Sequence, residues 1–392
     1  MTTRAAACCP AWRRLLQAHA IPPATISRVV HATTLFTNAL IERKGALTGA
    51  ITTAGFRDTL EIGRERKYAL YDLGIEMPPA LVPRDLCLEV PERSRADGSV
   101  ERPLPADALL AAVDQLRSRG VASVAILFLH AYANPAHEIE AARLIAAHAP
   151  ELFVTTSHEV APEIREYDRF STTAASAYIK PLAVTYLRGL GAQLAELGIA
   201  APLLLMISSG GLTHIDEVTA NPVQMLESGP AAGALAAAFF GAREDETNLL
   251  AFDMGGTTAK LSLIEKGEPL IAYGFEAARQ KRFMEGSGLP IRISTVELIE
   301  IGAGGGSIAR QDALGLLKVG PDSAGSEPGP ACYGAGRRAS DRHRRQPAAR
   351  LPQPRLLRRR HARDRPGGRK ASGRDPGRVR RHGAGPGRGR DS

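Results

Sequence analysis

The segment Leu249–Ile264, LLAFDMGGTTAKLSLI, holds the densest set of chemically useful residues in the chain. An apolar run leads into Asp253, then Gly255, Gly256, Thr257 and Thr258, and a second alternating run carries Lys260. Glycines let a backbone turn tightly and bring its N–H groups against an anion, where a Cβ would not fit. Two hydroxyls and the Lys260 ammonium add donors suited to phosphate. Asp253, at a strand end, is a carboxylate that suits a hydrated Mg2+, a hard cation that prefers carboxylate and phosphate oxygens. The same residues also fit an ordinary hairpin in which Gly255-Gly256 only turns the chain.

A second cluster, Glu300-Ile301-Gly302-Ala303-Gly304-Gly305-Gly306-Ser307, follows the apolar run Val296–Ile299. So many glycines at a strand end are costly in folding entropy, and they persist where a ligand or another backbone must come close. No strand–turn–helix unit with a later acid follows, so this is not a dinucleotide fingerprint. Gly302, Gly304, Gly305 and Gly306 read instead as a nucleotide cradle, and the flanking Ile299, Ile301 and Ile308 are expected to be packed, against a flexible linker. A third cluster, Glu227–Gly233, turns into a helix. There Ser228 and Gly229 either face an anion at the helix N-terminus or Ser228 caps the helix. Other polar residues read more simply. His31 fits a turn histidine bonded to backbone, His130 and His137 flank a loop and are not expected to hold metal, and Asp168 with Arg169 reads as a surface pair.

The elements that must position these clusters follow from patterning. Ala50–Thr53 reads as a buried strand before a turn at Gly55, and Thr34–Glu42 as a helix start. Asp107–Gly120 carries Leu109, Leu110, Val113 and Leu116 at helical spacing, with Gly120 at the C-cap. Val121–Leu129 is a continuous apolar run of strand length, and His137–Ala149 a helix ended by Pro150. Ala174–Leu197 reads as a long helix interrupted by Pro181, Pro202–Ile207 as a strand and Ala231–Phe240 as an Ala-rich helix. This alternation predicts an α/β architecture with strands covered on both faces, and a domain boundary near residues 165–200.

Composition narrows the class. With 44% hydrophobic residues in 392, the chain can bury a core in each of two domains. Cys8, Cys9, Cys87 and Cys332 form no CxxC pair, so neither a disulfide framework nor a zinc knuckle is supported. No apolar run reaches the ~20 residues of a membrane span, and the N-terminus lacks the signature of a signal peptide, which leaves the cytoplasm as the expected compartment. The net charge of +9 is localised: residues 335–392 hold 19 Arg and one Lys against four Asp. Such a tail either neutralises nucleic-acid phosphates or is segment too poor in apolar residues to fold. The second reading is preferred.

Taken in order, the clusters resemble the hydantoinase A/5-oxoprolinase family, which includes N-methylhydantoinase and the ATP-using subunits of acetone and acetophenone carboxylases. HATTLFTNAL (31–40), TTAGFRDTLEIG (52–63), Tyr71-Asp72-Leu73, LHAYANPAHE (129–138), SHEVAPEIREY (157–167) and Tyr178-Ile179-Lys180-Pro181 carry the resemblance. Ser208–Leu212, the Glu227 turn, the Asp253 and Gly302 loops and PGPACYG (328–334) continue it, so that it covers the chain from Leu15 to Gly334. Ala32 departs from the usual Gly. The resemblance implies actin-like ATPase (ribonuclease H-like) lobes, incomplete at both ends. Residues 15–175 correspond to the family's N-terminal region and 176–334 to the first part of its catalytic domain. It implies ATP and Mg2+, phosphorylation of a small cyclic amide such as a hydantoin or 5-oxoproline followed by ring opening, and a hydantoinase B-like partner. An ATP-handling role in a ketone carboxylase is the alternative.

Two further departures concern the ends. The family's first phosphate loop, GxDxGGTFTD, is absent. Read one base later with GC-rich codons, 337–362 can encode GERATATDANLLLGYLNPAYFGGDMP, which resembles what the family carries after PGPACYG. A two-base shift over the first dozen residues similarly permits DDPxxGVLxGL, joining at Trp12. Residues 1–14 and 335–392 are therefore expected to be misframed, and the chain alone to turn over Mg-ATP weakly or not at all.

Overall fold

The computed structural model describes residues 5–324 apart from 65, 66, 257, 282, 283 and 312–314, all within one compact unit. Helix α1 (Ala5–Ala18) leads to β1 (Val29–His31), α2 (Leu35–Ile41), β2 (Thr48–Thr53) and β3 (Cys87–Val90). Then come α3 (Ala106–Ser118), β4 (Ser123–Leu127), α4 (Ala136–His148) and β5 (Phe153–Thr156). Strands β3, β2, β4 and β5, in that order, make a parallel sheet. Every residue of β2 and β4 is buried, as expected of central parallel strands with both faces covered. Helix α3 turns Leu109, Val113 and Leu116 into this core. A Cβ on Gly49 would lie 2.7 Å from Leu116 Cδ2, so glycine in β2 is what admits the helix.

Helix α5 (Glu166–Glu196) is the spine, 31 residues with Pro181 inside and about 46 Å long at the usual rise. Phe170, Ala174 and Ala177 join the parallel-sheet core. Ala175, Ile179, Ala183 and Leu187 join a second core with Phe36, Leu40, Leu205 and Met225. Leu190 and Leu194 meet Leu16 and Val29 in a third, against which Trp12 is packed. Within the stretch 165–200, where patterning places a boundary, residues 166–196 form this one helix, and its side chains enter all three cores.

Strand β6 (Leu203–Met206) pairs parallel with β1 and antiparallel with β7 (Leu212–His214). Helix α6 (Ser228–Arg243) precedes β8 (Leu249–Met254) and β9 (Ala259–Glu265), and β10 (Ile299–Ile301) returns to the free edge of β9. A hairpin of β11 (Ser307–Gln311) and β12 (Leu317–Ser323) follows. Helix α6 packs on β8 and β9, and Ser262 and Ile264 are buried. The opposite face is uncovered: Leu250, Phe252 and Ile299 are 63%, 60% and 54% exposed. The expectation of two covered faces therefore holds for the parallel sheet and fails here, and with it the expectation that Ile299 and Ile308 are packed. Sheets are both parallel and antiparallel in a mixed α/β fold. Among the described residues no helix is long and apolar enough to cross a membrane.

Candidate functional site

The hairpin register fixes which side chains share a face. Asp253 pairs with Lys260 across β8 and β9, and Lys260 pairs with Glu300 across β9 and β10. Directly opposed residues project to the same side of a sheet, so Asp253, Lys260 and Glu300 form one row. Asp253 is exposed and has no ion pair among the described residues. The Lys260 ammonium bonds the Glu227 carboxylate, with Glu300 Oε1 at 3.8 Å, and the Lys260 and Glu227 side chains are only 11% and 9% exposed. The expected phosphate donor is thus already neutralised by a partner that sequence reasoning placed in a separate cluster.

The turn itself is a β-hairpin: the Gly255 N–H donates to Thr258 O at 3.0 Å. The two glycine clusters meet directly. Gly305 N–H donates to Gly255 O at 2.9 Å and Gly306 N–H to Gly256 O at 2.7 Å. Gly304 N–H donates to Ser307 Oγ at 2.8 Å. Gly302 carries its carbonyl against Gly320, where a Cβ would stand 2.3 Å from that oxygen. Several of the N–H groups expected to cradle phosphate are therefore spent on loop-to-loop bonds. The Gly256 N–H and the Thr258 hydroxyl have no partner among the described residues. Thr257, the remaining predicted residue of this loop, lies outside the described residues.

Ser228 neither caps α6 nor points at open solvent. Its Oγ accepts from Thr33 N–H at 3.1 Å and donates to Thr33 O at 3.0 Å, and it is fully buried. Gly229 sits where a Cβ would be 3.1 Å from Thr34 Cγ2. Glu227 adopts a left-handed φ of 61°, a strained choice for a residue with a Cβ, and its N–H donates to Thr37 Oγ at 3.0 Å. Thr33, Thr34 and Thr37, at the entry to α2, are thereby locked to the start of α6 and, through Glu227, to the Lys260 strand. His31 lies in β1, not in a turn, and bonds the Tyr186 hydroxyl at 3.1 Å. Burial holds its pKa below the ordinary value.

The motifs LHAYANPAHE and SHEVAPEIREY build a separate structure at the C-terminal ends of the parallel strands. Thr53 donates to Glu92, whose other oxygen meets His137 Nδ1 at 2.6 Å. Buried Glu138 accepts the N–H groups of Phe128 (2.9 Å) and His158 (2.8 Å) and the Ser157 hydroxyl (2.7 Å). Arg169, 1% exposed, donates to Ser157 Oγ, Glu163 O and Phe128 O at 3.1, 2.8 and 3.0 Å. Asp168 is buried too, between Arg64 (2.7 Å) and Arg292 (3.1 Å). The surface pair expected of Asp168 and Arg169 is thus corrected: adjacent helix positions point apart, and each finds its partners in a different layer.

Comparison with known proteins matches two family models, the hydantoinase/oxoprolinase N-terminal region over residues 4–149 and hydantoinase/oxoprolinase over 169–340. The chain is 38% identical to the caprolactamase subunit alpha of Pseudomonas jessenii, over 78% of this chain and 43% of that one. It is 31% identical to the acetophenone carboxylase gamma subunit of Aromatoleum aromaticum, over 79% and 43%. The solved structure of an ATP-dependent caprolactamase from Pseudomonas jessenii superposes with a TM-score of 0.66 at 34% identity, covering 82% of this chain and 46% of that one. The chain spans under half the length of these relatives. With both models matching in sequence order and the fold shared at that identity, this protein belongs to the hydantoinase/oxoprolinase family.

Proposed function

We propose that this chain is the nucleotide-phosphate-handling part of a cytoplasmic ATP-dependent enzyme that opens a small cyclic amide such as a hydantoin or 5-oxoproline, working with a hydantoinase B-like subunit. The observation that carries this reading is the docking of the Gly302–Gly306 loop on the Gly255–Thr258 turn beside the row Asp253, Lys260 and Glu300. Phosphoryl transfer asks mainly for positioning and charge neutralisation. Bound ATP would supply the phosphoryl group that makes an amide carbon open to attack by water. The chain's own contribution is a rigid floor for that group, with the Gly256 N–H and Thr258 hydroxyl as remaining donors and Lys260 held in place by Glu227.

The donor set fits Mg2+. Among the described residues no three His, Cys, Asp or Glu side chains could hold a metal together. Mg2+ commonly takes one or two carboxylates and completes its shell with water and substrate phosphate, and exposed Asp253 offers one such carboxylate. An actin-like arrangement of lobes is part of the same proposal, since glycine hairpins in that superfamily hold nucleotide phosphates. Relatives named as subunits support a partner chain. The acetophenone carboxylase relative favours one alternative, ATP handling in ketone carboxylation.

Titration with Mg-ATP by calorimetry tests the reading. Wild type is expected to bind only with Mg2+ present, and Asp253→Asn to bind at least about tenfold more weakly (about 1.4 kcal/mol). Nucleotide binding indifferent to both would sink it. With the partner subunit added, ADP release stimulated by hydantoin or 5-oxoproline, and not by acetone with bicarbonate, separates the two substrates.

A further inference from the structure

The parallel sheet has a reversal that the glycine loops do not use. The chain steps from β2 to β3 on one side and then crosses to β4 and β5 on the other. The reversal falls between β2 and β4, and sheets of this order hold ligands outside the carboxyl ends of those strands. One hydroxyl ties the neighbouring ends together: Thr53 Oγ1 accepts the Leu129 N–H at 2.9 Å and donates to Glu92. The residues that come next, Arg93 and His130, therefore flank the end of β2.

Arg93 is half-buried, yet its side chain has no hydrogen bond or ion pair among the described residues. Its guanidinium carbon lies 5.0 Å from the centre of the Phe56 ring, a contact that satisfies none of its N–H donors. The other arginines of the described residues that are not exposed, Arg43, Arg57, Arg64, Arg169 and Arg292, all donate to a carbonyl or a carboxylate. Arg169 is bonded only to neutral oxygens and has no ion pair among the described residues. Its guanidinium carbon stands 5.5 Å from the centre of the Tyr132 ring, and His130 packs edge-on against that ring at 5.9 Å.

Burial first, then the charges of Arg169 and Arg93, hold the His130 pKa below its ordinary value, against an opposite push from Glu166. Two cations without ion pairs thus act on an imidazole that is uncharged at neutral pH. The tautomer that accepts from the Tyr132 hydroxyl at Nδ1, 3.4 Å away, carries its N–H on Nε2. His130 also keeps a left-handed φ of 57°, strain of the kind that persists at binding sites. Phe56, on which Arg93 rests, lines an open cleft of about 410 Å³ together with Ile62, Tyr167 and Glu166.

An unpaired guanidinium suits a carboxylate, which it can bind through a bidentate pair of N–H···O bonds. The rings of Phe56 and Tyr167 suit an apolar body, and the Glu166 carboxylate disfavours a dianion. We propose that the crevice at the ends of β2 and β4 binds a small monocarboxylic acid, its carboxylate on Arg93 and His130 Nε2 and its apolar body along Phe56. The glycine loops take no part in this site, so it does not rest on the nucleotide reading.

Calorimetric titration of the full chain tests it, with acetate and benzoate as probes and acetamide, benzamide and inorganic phosphate as comparisons. Wild type is expected to bind both carboxylates, benzoate the more tightly, and each neutral amide at least about tenfold more weakly than its acid. Arg93→Gln and His130→Asn, the latter chosen because Asn tolerates a left-handed φ, are each expected to lose benzoate affinity, Arg93→Gln by at least about tenfold. Arg93 has no bond among the described residues to lose, so Arg93→Gln is expected to keep the wild-type melting profile. Absence of carboxylate binding, equal affinity for benzoate and benzamide, or unchanged benzoate affinity in Arg93→Gln overturns the proposal. Tighter binding of phosphate than of benzoate overturns the assignment to a monocarboxylate. Mg-ATP binding is expected to be the same in wild type and both variants, and its loss alongside that of benzoate overturns a site separate from the glycine loops.

Discussion

At the scale of single residues, Lys260 shows how a site can be half legible. Its place after a glycine turn marks it for anion chemistry, yet its ammonium is held by Glu227, 33 positions earlier. No pattern along the chain announces such a contact; only the hairpin register and the left-handed turn at Glu227 create it. Removing one partner of a buried ion pair typically costs about 3–5 kcal/mol. Lys260→Ala is therefore expected to lower the free energy of urea unfolding by about that much, and Glu227→Gln,Lys260→Met together by much less. Asp168 and Arg169 misled for a related reason: adjacent charges suggest solvent, and burial depends on what two other layers bring. Cys87 offers a simple chemical check. Burial, the largest influence, pushes its thiol up to about 12, and thiolate is the reactive form. In native protein at pH 7.5 the Cys87 peptide is expected to escape iodoacetamide, and to react fully in urea, as read by mass spectrometry of tryptic peptides.

At the scale of elements, the strands and helices of the parallel sheet were readable because their apolar runs are continuous and their stops are Gly or Pro. Val121–Leu129 and Asp107–Gly120 emerged as β4 and α3 with boundaries shifted by one or two residues. The Gly302 loop was readable as a place of close approach. What approaches is another loop of the same chain, and that partner could not be named from spacing alone. Gly320 makes the interlock testable: at φ +73° and with 2.3 Å to the Gly302 carbonyl, a methyl there meets both strain and collision. Gly320→Ala is expected to destabilise by about 1–2 kcal/mol from backbone strain alone, and to broaden amide signals of both glycine loops in NMR spectra. Strand β1 gives a pH prediction. His31 stays neutral when folded because burial lowers its pKa, whereas the unfolded histidine takes up a proton near 6.5. Its contribution to stability is therefore present at pH 7.5 and lost as pH falls through 6.5 toward its folded pKa. A His31→Gln variant should show a shallower decline in melting temperature between pH 7.5 and 5.5.

At the scale of the whole molecule, one sheet is finished and another is not. The parallel sheet is covered on both faces, whereas Leu250, Phe252, Met254 and Ile299 stand open on β8 and β10. Contiguous apolar surface of this kind is uncommon on a monomer. The purified chain is expected to bind the dye ANS at neutral pH without denaturant, and Phe252→Lys, facing solvent, to reduce that fluorescence without changing the melting temperature by more than a few degrees. Helix α5 has a different consequence, for divisibility. Because its first turns complete one hydrophobic cluster, its middle a second and its last turns a third, the polypeptide has no half that can be excised with its interior intact. Genetic splitting within 166–196 should leave two insoluble pieces, while a cut in the Gly198–Ala201 link, which spares the helix, is where complementing fragments could reassemble.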